Sequence, residues 1–342
     1  MPTKDIVVVG TSSGGIEALQ TLVAGLPRDF AAAMFIVMHT SPAAPGVLQA
    51  ILDRASPLRV SYPADNDRFQ AGRIYIAPAD KHMLLEPGII RLTRGPKENL
   101  FRPAIDPLFR SAAQVYGPRV IGVILTGGLD DGTAGLWAIK KLGGTAVVQD
   151  PKDAVVPSMP INALHHVSVD HTVRIAEMPR LLAKLTTMPA EQQEVIEVPE
   201  HLDIEVKIAK QDPAIEHHVR NLWDKSSYTC PECHGVLMQL TEGGRERFRC
   251  HTGHAFSADG LLASLTEGVE ETLWSAIRII EESVLLMRHI ARHLQERDPW
   301  NAKEFFRKAD EAEKRSRLVR GAVYEHEELN MEKVEEGAQK YG

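Results

Sequence analysis

Ile6-Val7-Val8-Val9-Gly10-Thr11-Ser12-Ser13-Gly14-Gly15 is the stretch on which the fold turns. Four consecutive β-branched residues read as a buried strand, because such side chains pack well on a pleated surface and resist helix formation. Gly10 ends the apolar run, and Gly14-Gly15 opens IEALQTLVAGL, which has helical period. Strand, tight turn and helix together make the start of a βα unit. Such a turn can cradle a phosphate on helix N-terminal amides. As G-x-S-x-G it can also expose a serine as a nucleophile elbow, or it can be a turn and nothing more. The ten residues alone do not choose.

Outward from this stretch the pattern repeats. Met34 to Met38, Val120 to Leu125 and Thr145 to Val148 are further short apolar runs, and Gly132 to Leu142 is an amphipathic stretch of helical period. This alternation, from residue 5 to about 186, predicts an α/β domain: a doubly wound, mostly parallel, Rossmann-like sheet with helices on both faces. Between residues 73 and 93, Pro87-Gly88 separates two apolar runs and predicts a β-hairpin inserted among the parallel units.

The 342 residues suit two domains or two plus an appendage, and the 44% apolar share is ample for a large core. A formal net charge of -7 offers no chain-wide electrostatic footprint for nucleic acid or anionic membrane. No apolar run is long enough to span a bilayer, so membrane insertion is not expected. MPTKD runs straight into the first strand without a signal-peptide pattern, so a soluble, cytoplasmic protein is expected.

The ends of the neighbouring runs bear on the opening question. A dinucleotide site wants an acidic residue at the end of the second strand to hold ribose hydroxyls. Here that strand ends in His39, which suits a proton acceptor for Ser12 better than a ribose partner. The run Val120 to Leu125 is followed by Thr126-Gly127-Gly128-Leu129-Asp130-Asp131-Gly132, a glycine-rich loop with two carboxylates, one of which could orient the imidazole or merely cap the next helix. Serine, histidine and aspartate would then converge at one edge of the sheet. His82, His165, His166 and His171 read as core or surface residues, and His217-His218 as a solvated part of a linker.

IVVVGTSSGG, FIVMHTS, FRPAIDPLFRSAA, VILTGGLDDGTAGL and VVPSMPINAL, in this order, resemble the catalytic domain of chemotaxis protein-glutamate methylesterases of CheB type. The resemblance covers roughly residues 5 to 186. It implies a serine hydrolase that cleaves γ-glutamyl methyl esters on the cytoplasmic helices of methylated chemoreceptors and in many members deamidates glutamines there. It implies Ser12 as nucleophile, His39 as base and Asp131, rather than Asp130, as the third member, with no catalytic cofactor. The mechanism that follows places the amides of Ser13 and of the Gly127-Gly128 turn as oxyanion donors. Two departures stand out. The family's T-G-M-G-x-D-G loop carries Gly128 for methionine and Leu129 for glycine here, which bears on the substrate groove. The family's receiver domain has no counterpart ahead of residue 5, so phosphorylation control in cis is not expected.

The rest of the chain differs in character. Residues 1–188 are read as the catalytic domain and the acidic, proline-broken 189–225 as a linker carrying at most a strand or short helix. Residues 226–256 hold all three cysteines. Cys230-x2-Cys233, sixteen residues, then Cys250-x3-His254 is ligand spacing for a structural zinc ribbon, with His251 the competing fourth ligand. Residues 257–342 carry one apolar stripe from Leu261 to Val284, a break at Asp298-Pro299 and a second helical stretch to about Glu328, hence a helical hairpin. Trp274 and Trp300 are expected as core or hairpin-closing residues, and the hairpin as a surface for a regulatory partner. The alternative function is a signalling scaffold with the same fold and little or no esterase activity.

Overall fold

A computed structural model of the chain describes residues 2–43, 46–191, 198–212, 223–242 and 244–326. It divides into two compact units, Met1–Leu261 and Leu262–Gly342.

The first unit is built on a seven-stranded sheet. Its strands are β1 (Ile6–Thr11), β2 (Ala33–Met38), β3 (Arg59–Ser61), β4 (Arg73–Ile76), β7 (Val120–Ile124), β8 (Thr145–Gln149) and β9 (His171–Val173). They run in the order β3-β4-β2-β1-β7-β8-β9, every pair parallel. Alternate residues of β1 point to opposite faces, as strand geometry demands. Ile6 and Val8 join a core with Leu108 of α3 (Ile105–Tyr116), Leu136 of α4 (Thr133–Lys141) and Met159 of α5 (Ser158–His166). Val7 and Val9 join a second core with Leu19 of α1 (Gly15–Ala24), Leu52 of α2 (Leu48–Ala55) and Leu182 of α6 (Met178–Thr186). A strand with both faces covered must be apolar throughout, which is why IVVV is unbroken.

The expected hairpin forms from β5 (His82–Glu86) and β6 (Ile89–Thr93), turned at Pro87-Gly88 with Gly88 at φ 78°. RIYI, which reads from sequence with the hairpin, is instead β4 of the parallel sheet. The segment expected as a linker supplies α7 (Glu200–Ala209), whose Leu202 is buried in the main core. His217 and His218 lie outside the described residues.

A four-stranded antiparallel sheet follows: β10 (Asp224–Thr229), β11 (Val236–Glu242), β12 (Arg245–Cys250) and β13 (Ala255–Ser257). The alternation in β12, RERFRC, has a clear physical use. Phe248 and Cys250 face a small core with Leu237 and Phe256. Arg245, Arg247 and Arg249 occupy the other face and pair with carboxylates of earlier segments. Glu205 of α7 takes Arg247 at 2.8 Å and Arg249 at 3.1 Å, and Arg110 of α3 lies 3.4 Å away. Glu98 takes Arg249 at 3.1 Å and also pairs with Arg110. Glu98, Glu205, Arg110, Arg247 and Arg249 are all buried. Burial opposes ionisation of both glutamates, but the surrounding guanidinium groups outweigh it and hold both carboxyls below the ordinary range.

α8 (Ala258–Leu294), which belongs to the second unit from Leu262 onward, and α9 (Pro299–Tyr324) form a helical hairpin, with Asp298 Oδ1 accepting from the amide of Asn301 at the start of α9. Val284 packs with Ala309 and Ala312. Trp274 and Trp300 are not core residues as expected. They are 40% and 76% exposed; Trp274 donates its indole N–H to Glu270 at 3.1 Å and lies under the Arg320 guanidinium of α9, 5.6 Å from its ring centre. Among the described residues no helix is long and apolar enough to cross a membrane.

Removing one member of a buried ion cluster strands the others without water. Glu205→Ala is expected to destabilise the first unit by about 3–5 kcal/mol, read as a lower urea midpoint, whereas Glu200→Ala, exposed on the same helix, should leave the midpoint unchanged.

Candidate active site

Strands β2, β1 and β7 are neighbours, so their carboxyl ends open side by side where the chain's winding reverses. Open α/β sheets place their sites at such a crevice. Ser12 follows β1 directly. Its amide donates to Thr126 O at 3.0 Å and Thr126 Oγ1 donates to Ser13 O at 2.9 Å, so the elbow is tied to the loop after β7. Gly14, at φ 76°, makes the turn. A Cβ there would lie 2.6 Å from Val155 Cβ, so glycine is required twice over.

His39, just beyond β2, sits between the two other groups. Its Nδ1 lies 3.1 Å from Ser12 Oγ and its Nε2 2.7 Å from Asp131 Oδ2. With the ring proton on Nε2, donated to Asp131, the Nδ1 lone pair faces the serine hydroxyl. Phe101 stacks on the imidazole at 3.7 Å between ring centres and 7° between planes, which fixes the ring's tilt. Asp131 is buried, and Oδ2 also accepts from the Ile105 amide at 2.7 Å. Its Oδ1 accepts from Asn99 Nδ2 at 2.8 Å and from the Gly132 amide at 2.9 Å. Burial opposes its charge, yet the bond from His39, the imidazole's field and the donors at Ile105 and Asn99 together hold the carboxyl below its ordinary value. It therefore stays ionised and can stabilise an imidazolium.

The structure brings Ser12, His39 and Asp131 into one hydrogen-bonded line. Asp130 points elsewhere, accepting from Ser257 Oγ at 2.6 Å and pairing with Arg245. The expected oxyanion donors divide. Gly127 is corrected: its amide donates to Val156 O at 2.9 Å and cannot also face an oxyanion. What Gly127 supplies is space, since a Cβ there would come 2.8 Å from Ser12 Cβ and 2.1 Å from Met159 Sδ. The amides of Ser13 and Gly128 donate to no acceptor among the described residues. Leu129 adopts φ 59°, a left-handed conformation that glycine takes more readily than leucine. Beside Ser12 opens a cleft of about 600 Å³ lined by Met38, Thr40, Lys97, Leu100 and Arg102. His82 is buried, with Nε2 2.8 Å from Pro96 O and Nδ1 accepting from the Ala104 amide.

Asn99 has no signal in the sequence, and Phe101 stands there only as the first residue of the FRPAIDPLFRSAA motif, with no role attached. They lie in an irregular loop, and only the fold carries them to the aspartate and the histidine.

A family profile described as CheB methylesterase matches residues 7–182, just over half of the chain. The chain belongs to the CheB methylesterase family. It is a hydrolase. A putative protein-glutamate methylesterase/protein-glutamine glutaminase of Leptospira interrogans is 35% identical over 190 residues, covering 55% of this chain and 98% of that protein. A protein-glutamate methylesterase/protein-glutamine glutaminase of Anaeromyxobacter dehalogenans is 40% identical over 182 residues, 53% of each chain. The chain thus spans about half the length of the latter relative. The crystal structure of the Thermotoga maritima CheB methylesterase catalytic domain superposes with a TM-score of 0.52 at 34% identity, over 53% of this chain and 98% of that one. The family region ends before α7, so Glu205, β10–β13 and the helical hairpin lie beyond it.

A second cluster lies in β10–β13 and its turns. Cys230, Cys233, Cys250 and His254 bring their ligand atoms within 4.8 Å of one another. His254 Nδ1 is 3.7 Å from Cys230 Sγ and 3.6 Å from Cys250 Sγ, whereas exposed His251 is outside the cluster and its ring lies against Gly235. Three thiols and one imidazole at these separations fit a closed tetrahedral site for zinc.

Asp106, beside Asp131, behaves in the opposite way. Burial and the Asp131 charge push its carboxyl up to about 7. A carboxyl raised in the folded state contributes stability that is complete below its unfolded value of about 3.9 and lost as pH rises through the folded value. Asp106→Asn should therefore remove a fall in stability between pH 4 and pH 8, so that the gap between variant and wild-type urea midpoints moves in the variant's favour as pH rises.

Proposed function

We propose that the protein is a protein-glutamate methylesterase working through a Ser12–His39–Asp131 triad, and that its substrate is a glutamyl γ-methyl ester on the cytoplasmic helices of a chemoreceptor-like protein. The observation that carries this reading is the continuous line from Ser12 Oγ through His39 to a buried, ionised Asp131. A scaffold with no chemistry has no use for a charged carboxylate held by five donors beneath a solvent-facing serine.

His39 Nδ1 takes the proton of Ser12 Oγ as the oxygen attacks the ester carbonyl. The carbonyl oxygen becomes an oxyanion, for which the amides of Ser13 and Gly128, unengaged among the described residues, are the proposed donors. Collapse breaks the bond to methoxide, which leaves as methanol with the proton from His39. Water then attacks the acyl-enzyme, giving its proton to His39, and Ser12 is released with a glutamate carboxyl as product. The same steps on a glutamine side chain expel ammonia, so deamidation follows from one geometry, in keeping with the glutaminase in the relatives' names. Catalysis calls on no cofactor in this scheme.

We also propose that Cys230, Cys233, Cys250 and His254 hold a structural zinc ion, making β10–β13 a zinc ribbon. Residues 1–188 are then the catalytic domain, 189–225 its connection to a ribbon at 226–256, and 257–342 the helical hairpin. Exposed Leu285, Leu286 and Trp300 support a signalling-partner surface on that hairpin.

The experiment is to incubate the protein with a methylated receptor cytoplasmic fragment and follow methanol release. Ser12→Ala should lower turnover by about 10³-fold or more with unchanged circular dichroism. Retained turnover would sink the triad assignment, and absence of methanol with active wild type on a small ester would move the substrate elsewhere.

A further inference from the structure

An unbroken path joins the cysteine–histidine cluster to the catalytic line. Cys250 donates its amide to His254 O at 3.0 Å, closing the turn that carries two ligands. The next residue begins β13, where Ala255 donates to Lys97 O at 3.2 Å and accepts from the Asn99 amide at 2.8 Å. Ser257 donates its amide to Asn99 Oδ1 at 3.1 Å and its hydroxyl to Asp130 Oδ1 at 2.6 Å. Asn99 in turn donates through Nδ2 to Asp131 Oδ1 at 2.8 Å and to Asp106 Oδ2 at 3.0 Å. Arg245 of β12 pairs with the other oxygen of Asp130.

The loop that receives this support needs it. Asn99 and Leu100 hold φ 48° and 75° in succession, a left-handed conformation that non-glycine residues keep only when their surroundings hold them there. Phe101, the next residue, stacks on His39. One loop thus touches both the aspartate and the histidine, and β13 is its outer brace. β13 is only three residues long, and the turn that carries Cys250 and His254 immediately precedes it.

We propose that a divalent cation of zinc type, bound by Cys230, Cys233, Cys250 and His254, acts through β13 and the positioning residue Asn99 to hold Asp131 and His39 in working geometry, so that metal loading sets the turnover of an esterase whose chemistry uses no metal. The inference rests on the triad reading above. The ribbon is then a built-in brace for the catalytic loop.

The test uses the full chain and p-nitrophenyl acetate as probe, with pre-steady-state acylation as the rate. Metal content is measured, the ion is released with an organomercurial thiol reagent while a chromogenic chelator reports it, and thiol plus Zn2+ restore it. Release should lower kcat about tenfold or more with KM nearly constant, and Zn2+ should return it. In metal-loaded protein Asn99→Ala should lose about tenfold in kcat, as expected for a lost donor to a charged acceptor. Ser257→Ala should lose less, and Ser257→Thr, which keeps the hydroxyl, should recover it. The proton resonance of His39 Nε2–H should shift in the metal-free protein and in Asn99→Ala, a change that a purely structural role would not produce in folded protein. Full kcat in folded, metal-free protein or in Asn99→Ala overturns the proposal, as does a wild type isolated without metal at full turnover. If metal release unfolds the chain, the ion is a condition of folding and does not set turnover, and the proposal fails. Ser12→Ala on the same probe separates the two readings: if it retains turnover, the triad reading fails. If it abolishes turnover while metal release and Asn99→Ala change nothing, only the brace fails.

Discussion

The structure depends on one buried carboxylate that must remain charged. Asp131 is removed from water, so its ionised form survives only because donors from separate segments converge on it: His39, the amides of Ile105, Asp106 and Gly132, and Asn99. Each donor fixes something beyond the carboxylate itself. The Ile105 and Asp106 amides are the start of α3, so the helix's unpaired N–H groups are satisfied by the same anion that orients the imidazole. Gly132 opens α4, at φ 89°, and brings a second helix start to the same point. Two helices and the end of β7 are therefore registered on a single side chain.

The sheet explains why the three reacting groups can meet. Each follows a different strand, and β2, β1 and β7 are adjacent in space although β7 is far along the chain. A parallel arrangement puts all three carboxyl ends on one side, and Gly10 between them admits Ile105 so closely that a Cβ would lie 2.4 Å from its Cγ2. The glycine that ends the apolar run is thus needed for α3 to approach, while the turn itself rests on Gly14.

Much of this was legible in the residues because it is local. Unbroken β-branched runs mark strands covered on both faces, Pro87-Gly88 marks a hairpin, and cysteine spacing brings four ligands to one point. His39 and Ser12 could be paired by their places at strand ends, although choosing Asp131 over Asp130 leaned on family resemblance. Long-range polar contacts were not legible. Glu205 looked like one acid in an acidic linker, and Asn99 and Phe101 sit in a loop with no periodic pattern. A glycine-rich turn offers amides, which makes Gly127 look like a donor, but which amides remain free depends on Val156, distant in sequence and just ahead of α5. Trp274 and Trp300 stay out of the core because a helix stripe does not say how much of it a two-helix hairpin can cover, although Trp274 still meets Arg320 across the hairpin.

The alternation of β12 explains why the appended sheet meets the catalytic portion through charge. An apolar seam of equal area would hold as well, since a buried ion pair seldom adds net stability over a hydrophobic match. What charge supplies is register. Arg245, Arg247 and Arg249 share one face of a strand, and a slip of one residue would turn Glu246 and Phe248 toward Glu205 and Glu98 and send the arginines into the small core. That slip would bury like charges together, so it is excluded by repulsion as well as by lost pairing. Only the observed register also sets Ser257 opposite Asn99 and Asp130, because β13 is paired to β12 through Arg247 and Ser257. The buried cluster and the brace on the catalytic loop are thus consequences of one strand alignment.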